Sequence, residues 1–107
     1  MSGSPDFVIP KYHAVIFAHG CFWHMHNCPM FKLPGSRAEW WSKKLRKQHT
    51  VDVASQDKLM EFGWRVLIIW ECSTRGPSKI NEQILMTEIT DWLLNGGIYQ
   101  KIPSPPL

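Results

Sequence analysis

The sequence predicts an α/β domain, a mixed β-sheet flanked by helices, and three observations predict it. Two short β-prone runs stand side by side near the start. A nearly continuous apolar run, Trp64 to Trp70, lies in the middle. Two stretches with helical spacing lie before and after that run. The resulting order, β-β-loop-α-β-α, is the pattern of a sheet with helices packed on it.

Taken in order, Asp6 to Pro10 reads as a short strand, and Tyr12 to Ala18 as a buried one because Ala-Val-Ile-Phe-Ala is continuous and β-prone. A turn at Pro10-Lys11 makes the two a hairpin. Residues 20 to 35 are irregular, and a long loop in a small domain is usually functional or tied down. Ser36-Arg37-Ala38-Glu39 fits a capping box with Ser36 as N-cap. Ala38, Trp41 and Leu45, then Val51, Ser55, Leu59 and Phe62, keep helical spacing up to Gly63. The spacing is compatible with one bent helix or with two. Trp64 to Trp70 is apolar nearly throughout, so it is expected to be central and covered on both faces. Glu71-Cys72 closes it, and Thr74 to Pro77 is a turn. Ile80 to Leu94 is the second helical region, with Leu85, Ile89, Trp92 and Leu93 as its stripe and Gly96-Gly97 as its end. Residues 1–107 are expected to form a single domain, with 98–107 a loose tail.

With 44% hydrophobic and 20% charged residues, the composition is ordinary for a soluble globular protein. No apolar run approaches the roughly 20 residues of a membrane span, so no membrane partner is expected. Met1-Ser2-Gly3-Ser4 lacks the basic start and apolar stretch of a signal peptide, and the expected location is cytoplasmic. A net charge of +3 says little, but Lys43, Lys44, Arg46, Lys47 and His49 fall within seven residues. Such a cluster is either a phosphate-contacting patch or a solvated helix face. Six tryptophans are many for 107 residues. In the pairs Phe22-Trp23 and Trp40-Trp41, neighbours cannot both face one core, so exposed aromatics suited to base stacking are expected.

Three cysteines in a cytosolic chain argue against a disulfide framework. Cys21, His26 and Cys28 give Cys-x4-His-x-Cys, and Cys72 follows the central strand. Together they make a Cys3His set, a tetrahedral structural zinc composition with no position left for water. The residues alone also allow Cys72 to be a core cysteine and the others to be incidental. Pro5-Asp6 opens one strand, and Phe17-Ala18-His19 ends the next. This partly matches the Pro-Asp…(Asp/Glu)-x-Lys nuclease pattern, with Phe17 where the second acid would stand and His19 where the lysine would. Asp6 is otherwise a turn or capping aspartate. His24 suits a general acid or base, unless it replaces His26 on zinc or is simply exposed. Asp52 is either a histidine-orienting carboxylate or plain helix surface.

Longer strings are more specific. Gly-Ser-Pro-Asp-Phe-Val (3–8), Val-Ile-Phe-Ala-His-Gly-Cys-Phe-Trp-His-Met-His-Asn-Cys (15–28) and Gly-Trp-Arg-Val-Leu-Ile-Ile-Trp-Glu-Cys (63–72) resemble the very short patch repair mismatch endonucleases, as do Phe-Lys-Leu-Pro (31–34) and Glu-Trp-Trp-Ser-Lys-Lys (39–44). The resemblance covers roughly residues 3 to 95. It implies a restriction-endonuclease-like fold, and Mg2+ bound by Asp6 and the Ala18 carbonyl. His24 would assist the attacking water or the phosphate, with His19 and Asp52 supporting the site. Structural zinc would sit on Cys21, His26, Cys28 and Cys72. Phe22, Trp23 and Trp41 would wedge into the duplex. Within the basic cluster, Lys43, Lys44 and Lys47 are the expected DNA contacts.

The implied reaction is Mg2+-dependent hydrolysis of one phosphodiester beside a T:G mismatch in double-stranded DNA. The implied setting is a bacterial, nucleoid-associated monomer that works ahead of downstream repair proteins. Members of that family carry an N-terminal helical region before the Pro-Asp strand, whereas this chain starts almost at the strand. Met25 and Asn27 stand where the family has histidines. Two alternatives stay open: a shortened, catalytically impaired, zinc-bound DNA-binding module, and a related nuclease with another target.

Overall fold

The computed structural model describes residues 5–24, 28, 32–77 and 79–103. Along the chain come β1 (Phe7–Ile9), a 3-10 turn (Pro10–Tyr12), β2 (Ala14–His19), α1 (Ala38–Glu61), β3 (Arg65–Trp70), α2 (Glu71–Thr74), α3 (Glu82–Asn95) and β4 (Tyr99–Ile102). The strands form one mixed sheet in the order β1-β2-β3-β4. The expected hairpin is present: β1 pairs antiparallel with β2, from Phe7 opposite Ile16 to Ile9 opposite Ala14. β2 and β3 are parallel, ending with His19 opposite Trp70, and β3 and β4 are also parallel. Parallel neighbours need a crossover, and α1 and α3 supply the two. No helix among the described residues is long and apolar enough to cross a membrane.

Alternation along β2 and β3 divides the core between the two faces of the sheet. Val15, Phe17, Val66, Ile68 and Trp70 pack with Leu59 of α1 on one face. Ala14, Ile16 and Leu67 pack with Trp92 of α3 and with Ile102 on the other. The sheet is thus covered on both sides, as the apolar run in β3 predicts. α1 is one helix of 24 residues, and Gly63, at φ 88°, turns the chain out of it through a left-handed conformation that favours glycine.

Three expectations are corrected. Ser36 does not cap α1; the N-cap is Arg37, left-handed at φ 58°, and no side chain caps the helix there. With the helix starting one residue later, Ser36 lies outside the position from which a hydroxyl reaches the free amides. Glu71-Cys72 do more than close β3, for they open the short helix α2. Residues 98–107 are not uniformly loose. Tyr99–Ile102 form β4 on the edge of β3, Ile102 is buried, and the Tyr99 hydroxyl donates to Gln56 Oε1 on α1 at 3.2 Å. Residues 104–107 lie outside the described residues.

Helix α3 is held at both ends. Asn81 Oδ1 accepts from the amides of Gln83 (2.9 Å) and Ile84 (3.4 Å). At the C-terminal end the Arg65 guanidinium donates to the carbonyls of Leu93 (3.0 Å), Gly96 (3.1 Å), Gly97 (3.1 Å) and Trp92, and to Tyr12 at 3.4 Å. It also lies 4.5 Å from the centre of the Trp92 ring. A cation here suits the negative end of the helix. Glycine at 96 allows the close approach, since a Cβ there would fall 2.6 Å from the Trp92 carbonyl oxygen. Arg65→Met keeps the stem and removes every donor. We expect it to cost about 3 kcal/mol in urea unfolding, the upper range for hydrogen bonds to a charged group. A loss under about 0.5 kcal/mol, the scale of an ordinary surface change, would show that water replaces the guanidinium freely.

Candidate active site and metal centre

The active-site candidates gather at the C-terminal end of β2. Asp6 immediately precedes β1, which runs antiparallel to β2, so the hairpin carries its carboxylate to that end. Its amide donates to the Ile16 carbonyl at 3.0 Å, and its Oδ2 accepts from the Ala18 amide at 2.7 Å. Phe17 and His19 point to the α1 face of the sheet, where Phe17 is core and His19 is buried. Beyond His19 the chain turns, closed by a bond from the His24 amide to the Gly20 carbonyl at 3.2 Å. The turn lays the His24 ring flat on that of His19, with centroids 3.8 Å apart and planes 7° from parallel.

His24 Nδ1 is hydrogen-bonded to Asp52 Oδ2 on α1, and Gln48 Nε2 donates to the other Asp52 oxygen at 3.0 Å. Asp52 is therefore not plain helix surface; its side chain is 14% exposed. Trp70 stands edge-on to His19 at 5.2 Å. Burial, and next the neighbouring His24, push the His19 imidazole down to about 4 from its ordinary 6.5, against the opposing pull of Asp52 and Asp6. His19 is neutral at neutral pH.

Asp6, Ala18, His19, His24 and Asp52 line one cleft of about 320 Å3, room for roughly ten waters at liquid density. The sequence reading missed Gln48, Val51, Ser55 and Gln56, which line the same cleft. Their positions relative to Asp52 put them on its side of the helix, and that spacing is the only signal they leave in the sequence.

The thiol groups of Cys21, Cys28 and Cys72 lie within 4.8 Å of one another, and no disulfide joins them. Cys21 and Cys72 are buried. Burial pushes the Cys21 thiol up to about 12 and raises that of Cys72 as well. Glu71 Oε1 accepts from the Cys21 amide at 3.3 Å, tying the loop to the start of α2. His26, the expected fourth ligand, lies outside the described residues. His24 groups with His19 and Asp52 and not with the thiols.

Near His24, exposed Trp23 and half-buried Phe22 and Trp41 form one aromatic patch. Ring centroids are 5.2 Å apart for Phe22 and Trp23, 5.4 Å for Phe22 and Trp41, and 5.8 Å for Trp23 and Trp41. Trp23 is 52% exposed. Lys43, Lys44 and Lys47 are exposed on the first half of α1, with Lys44 Nζ 5.9 Å from the Trp41 ring centre.

Two carboxylates and two histidines line the cleft, with aromatic and basic residues nearby, and comparison with known proteins identifies the class as DNA endonucleases. The chain is 43% identical over 104 residues to DNA mismatch endonuclease Vsr of Escherichia coli K12, which covers 97% of this chain and 67% of that protein. It is 35% identical to Type II nicking enzyme V.NmeAIP of Neisseria meningitidis, over 83% of this chain and 65% of the relative. Type II nicking enzyme V.XorIIP of Xanthomonas oryzae is 42% identical, over 67% of this chain and 53% of the relative. The family model described as DNA mismatch endonuclease Vsr matches residues 1–30. The chain belongs to the DNA mismatch endonuclease Vsr family, and it spans between about half and two thirds of the length of these relatives.

Proposed function

We propose that this protein nicks one strand of duplex DNA beside a T:G mismatch, by Mg2+-dependent hydrolysis of a phosphodiester, on a restriction-endonuclease-like fold. The observation that carries the reading is the convergence of Asp6, Ala18, His19, His24 and Asp52 on one cleft.

The oxygen donors of Asp6 and the Ala18 backbone suit a hard cation. These two residues would hold Mg2+, which when bound offsets phosphate charge and makes water more acidic. Asp52, bonded to His24 Nδ1, favours the tautomer whose Nε2 lone pair is open. His24 Nε2 then accepts a proton from the attacking water, and Asp52 stabilises the imidazolium that forms. Gln48 holds the second Asp52 oxygen and fixes the carboxylate. His19, neutral and stacked on His24, limits the rotation of that ring. The three thiols suit zinc; with His26 they would pin the loop that carries Phe22, Trp23 and His24. Phe22, Trp23 and Trp41 enter the duplex at the mismatch, where unstacking costs least.

The test is a nicking assay on labelled duplexes, one with a single T:G mismatch and one fully matched, in Mg2+ and in EDTA. We expect Mg2+-dependent cleavage of one strand of the mismatched duplex only. Mismatch binding without cleavage would leave a zinc-bound DNA-binding module instead. The relatives named as nicking enzymes favour a second reading, a related nuclease with another target. Equal cutting of matched and mismatched DNA would select it.

A further inference from the structure

Arg37 and Lys44 both rest on the indole of Trp40. The Arg37 guanidinium lies 4.7 Å from the ring centre and the Lys44 ammonium 4.9 Å. Trp40 is 43% exposed, and its ring meets Trp41 edge-on at 4.9 Å. It therefore adjoins the aromatic patch without joining the core. Among the described residues the ion pairs are His24–Asp52 and Arg75–Glu71, so no described carboxylate pairs directly with either cation on Trp40. Arg37 also holds the left-handed backbone, φ 58°, at the start of α1, a conformation uncommon for a residue with a side chain.

We propose that Arg37, Trp40 and Lys44 form a phosphate clamp for the DNA backbone flanking the Phe22–Trp23–Trp41 wedge. The proposal rests on the DNA reading above and extends it to a contact made by Arg37 and Trp40. Two long cations on one indole have already lost much of the freedom they would otherwise lose on gripping an anion. A ring that holds cations 4.7 and 4.9 Å from its centre leaves little room for a base, so Trp40 acts through the charges it positions. Phosphate contacts carry no sequence information, and the clamp therefore grips matched and mismatched duplexes alike.

The test is anisotropy binding of the full chain to labelled T:G and matched duplexes over a series of KCl concentrations. The slope of log K against log[KCl] is expected to fall in magnitude by about 0.9 in Arg37→Ala, the value for one lost phosphate contact on duplex DNA. Trp40→Leu is expected to fall similarly, and Trp40→Phe, which restores an aromatic face, to recover most of the slope. The loss should be equal on both duplexes. If the unchanged protein binds DNA and the variants keep its slope, the clamp is wrong and the DNA reading stands. If Trp40→Leu weakens only mismatch binding at constant slope, Trp40 stacks on bases and the clamp is again wrong. If the unchanged protein binds neither duplex, the DNA reading fails and takes the clamp with it.

Discussion

Asp6→Asn is expected to lower the nicking rate by roughly a thousandfold, the equivalent of about 4 kcal/mol of lost transition-state stabilisation. The substitution keeps size and shape. Asparagine can still accept the Ala18 amide proton that Oδ2 accepts at 2.7 Å, so the hairpin should hold and the protein should melt near its usual temperature. What is lost is the negative charge that would help to hold Mg2+. DNA binding, which is proposed to rely on the lysines and aromatics of α1 and the loop, should persist within a few-fold. Single-turnover cleavage and duplex affinity, measured on the same preparation, separate the two. A rate within tenfold of the unchanged protein, or a loss of binding as large as the loss of rate, would remove Asp6 from the role given to it.

Removing the proposed zinc is expected to have the largest effect on stability. Structural zinc sites in small peptides contribute roughly 10–16 kcal/mol, which matches or exceeds the whole stability of a typical domain, about 5–15 kcal/mol. The thiols of Cys21, Cys28 and Cys72 lie within 4.8 Å of one another, and through a bound metal they would join the chain after β2 to the start of α2. Burial holds Cys21 and Cys72 in their protonated form, so metal binding must displace protons, and the metal should be lost as the pH falls. Elemental analysis should find about one zinc per chain. A chelator, or Cys72→Ser, should unfold the protein or lower its melting temperature by roughly 20 °C, as expected for a loss of several kcal/mol in a domain of this size. A metal-free preparation that melts normally would sink the assignment.

Apolar patterning made the centre of the sheet legible. β2 and β3 bury side chains on both faces, and such strands must be written as continuous apolar runs. β4 was not legible. Tyr-Gln-Lys-Ile between Gly-Gly and a proline-rich tail carries little signal of its own, and becomes a strand by pairing with β3. The capping box failed because the helix starts one residue later than the motif implies, with Arg37 at the N-cap. In the cleft, spacing alone read Asp52 as surface, since its partner His24 is 28 residues away in sequence. Only the resemblance to mismatch endonucleases placed it in the site. Gln48, Ser55 and Gln56 escaped for the same reason. The three cysteines were legible as a candidate metal set because an odd number cannot all pair in disulfides.

The position of Asp6 has a consequence for how activity and folding relate. It adjoins a three-residue strand on the outer edge of the sheet, with Phe7 60% and Val8 43% exposed, whereas the histidines stand on β2 and the turn after it. Short, solvent-facing edges detach far more easily than a whole domain opens. The proposed metal carboxylate can thus leave its station while the hydrophobic interior stays shut. In that case the fraction of molecules able to cut is set by a local docking equilibrium at one end of the hairpin, and heat or denaturant would silence the protein before they melt it.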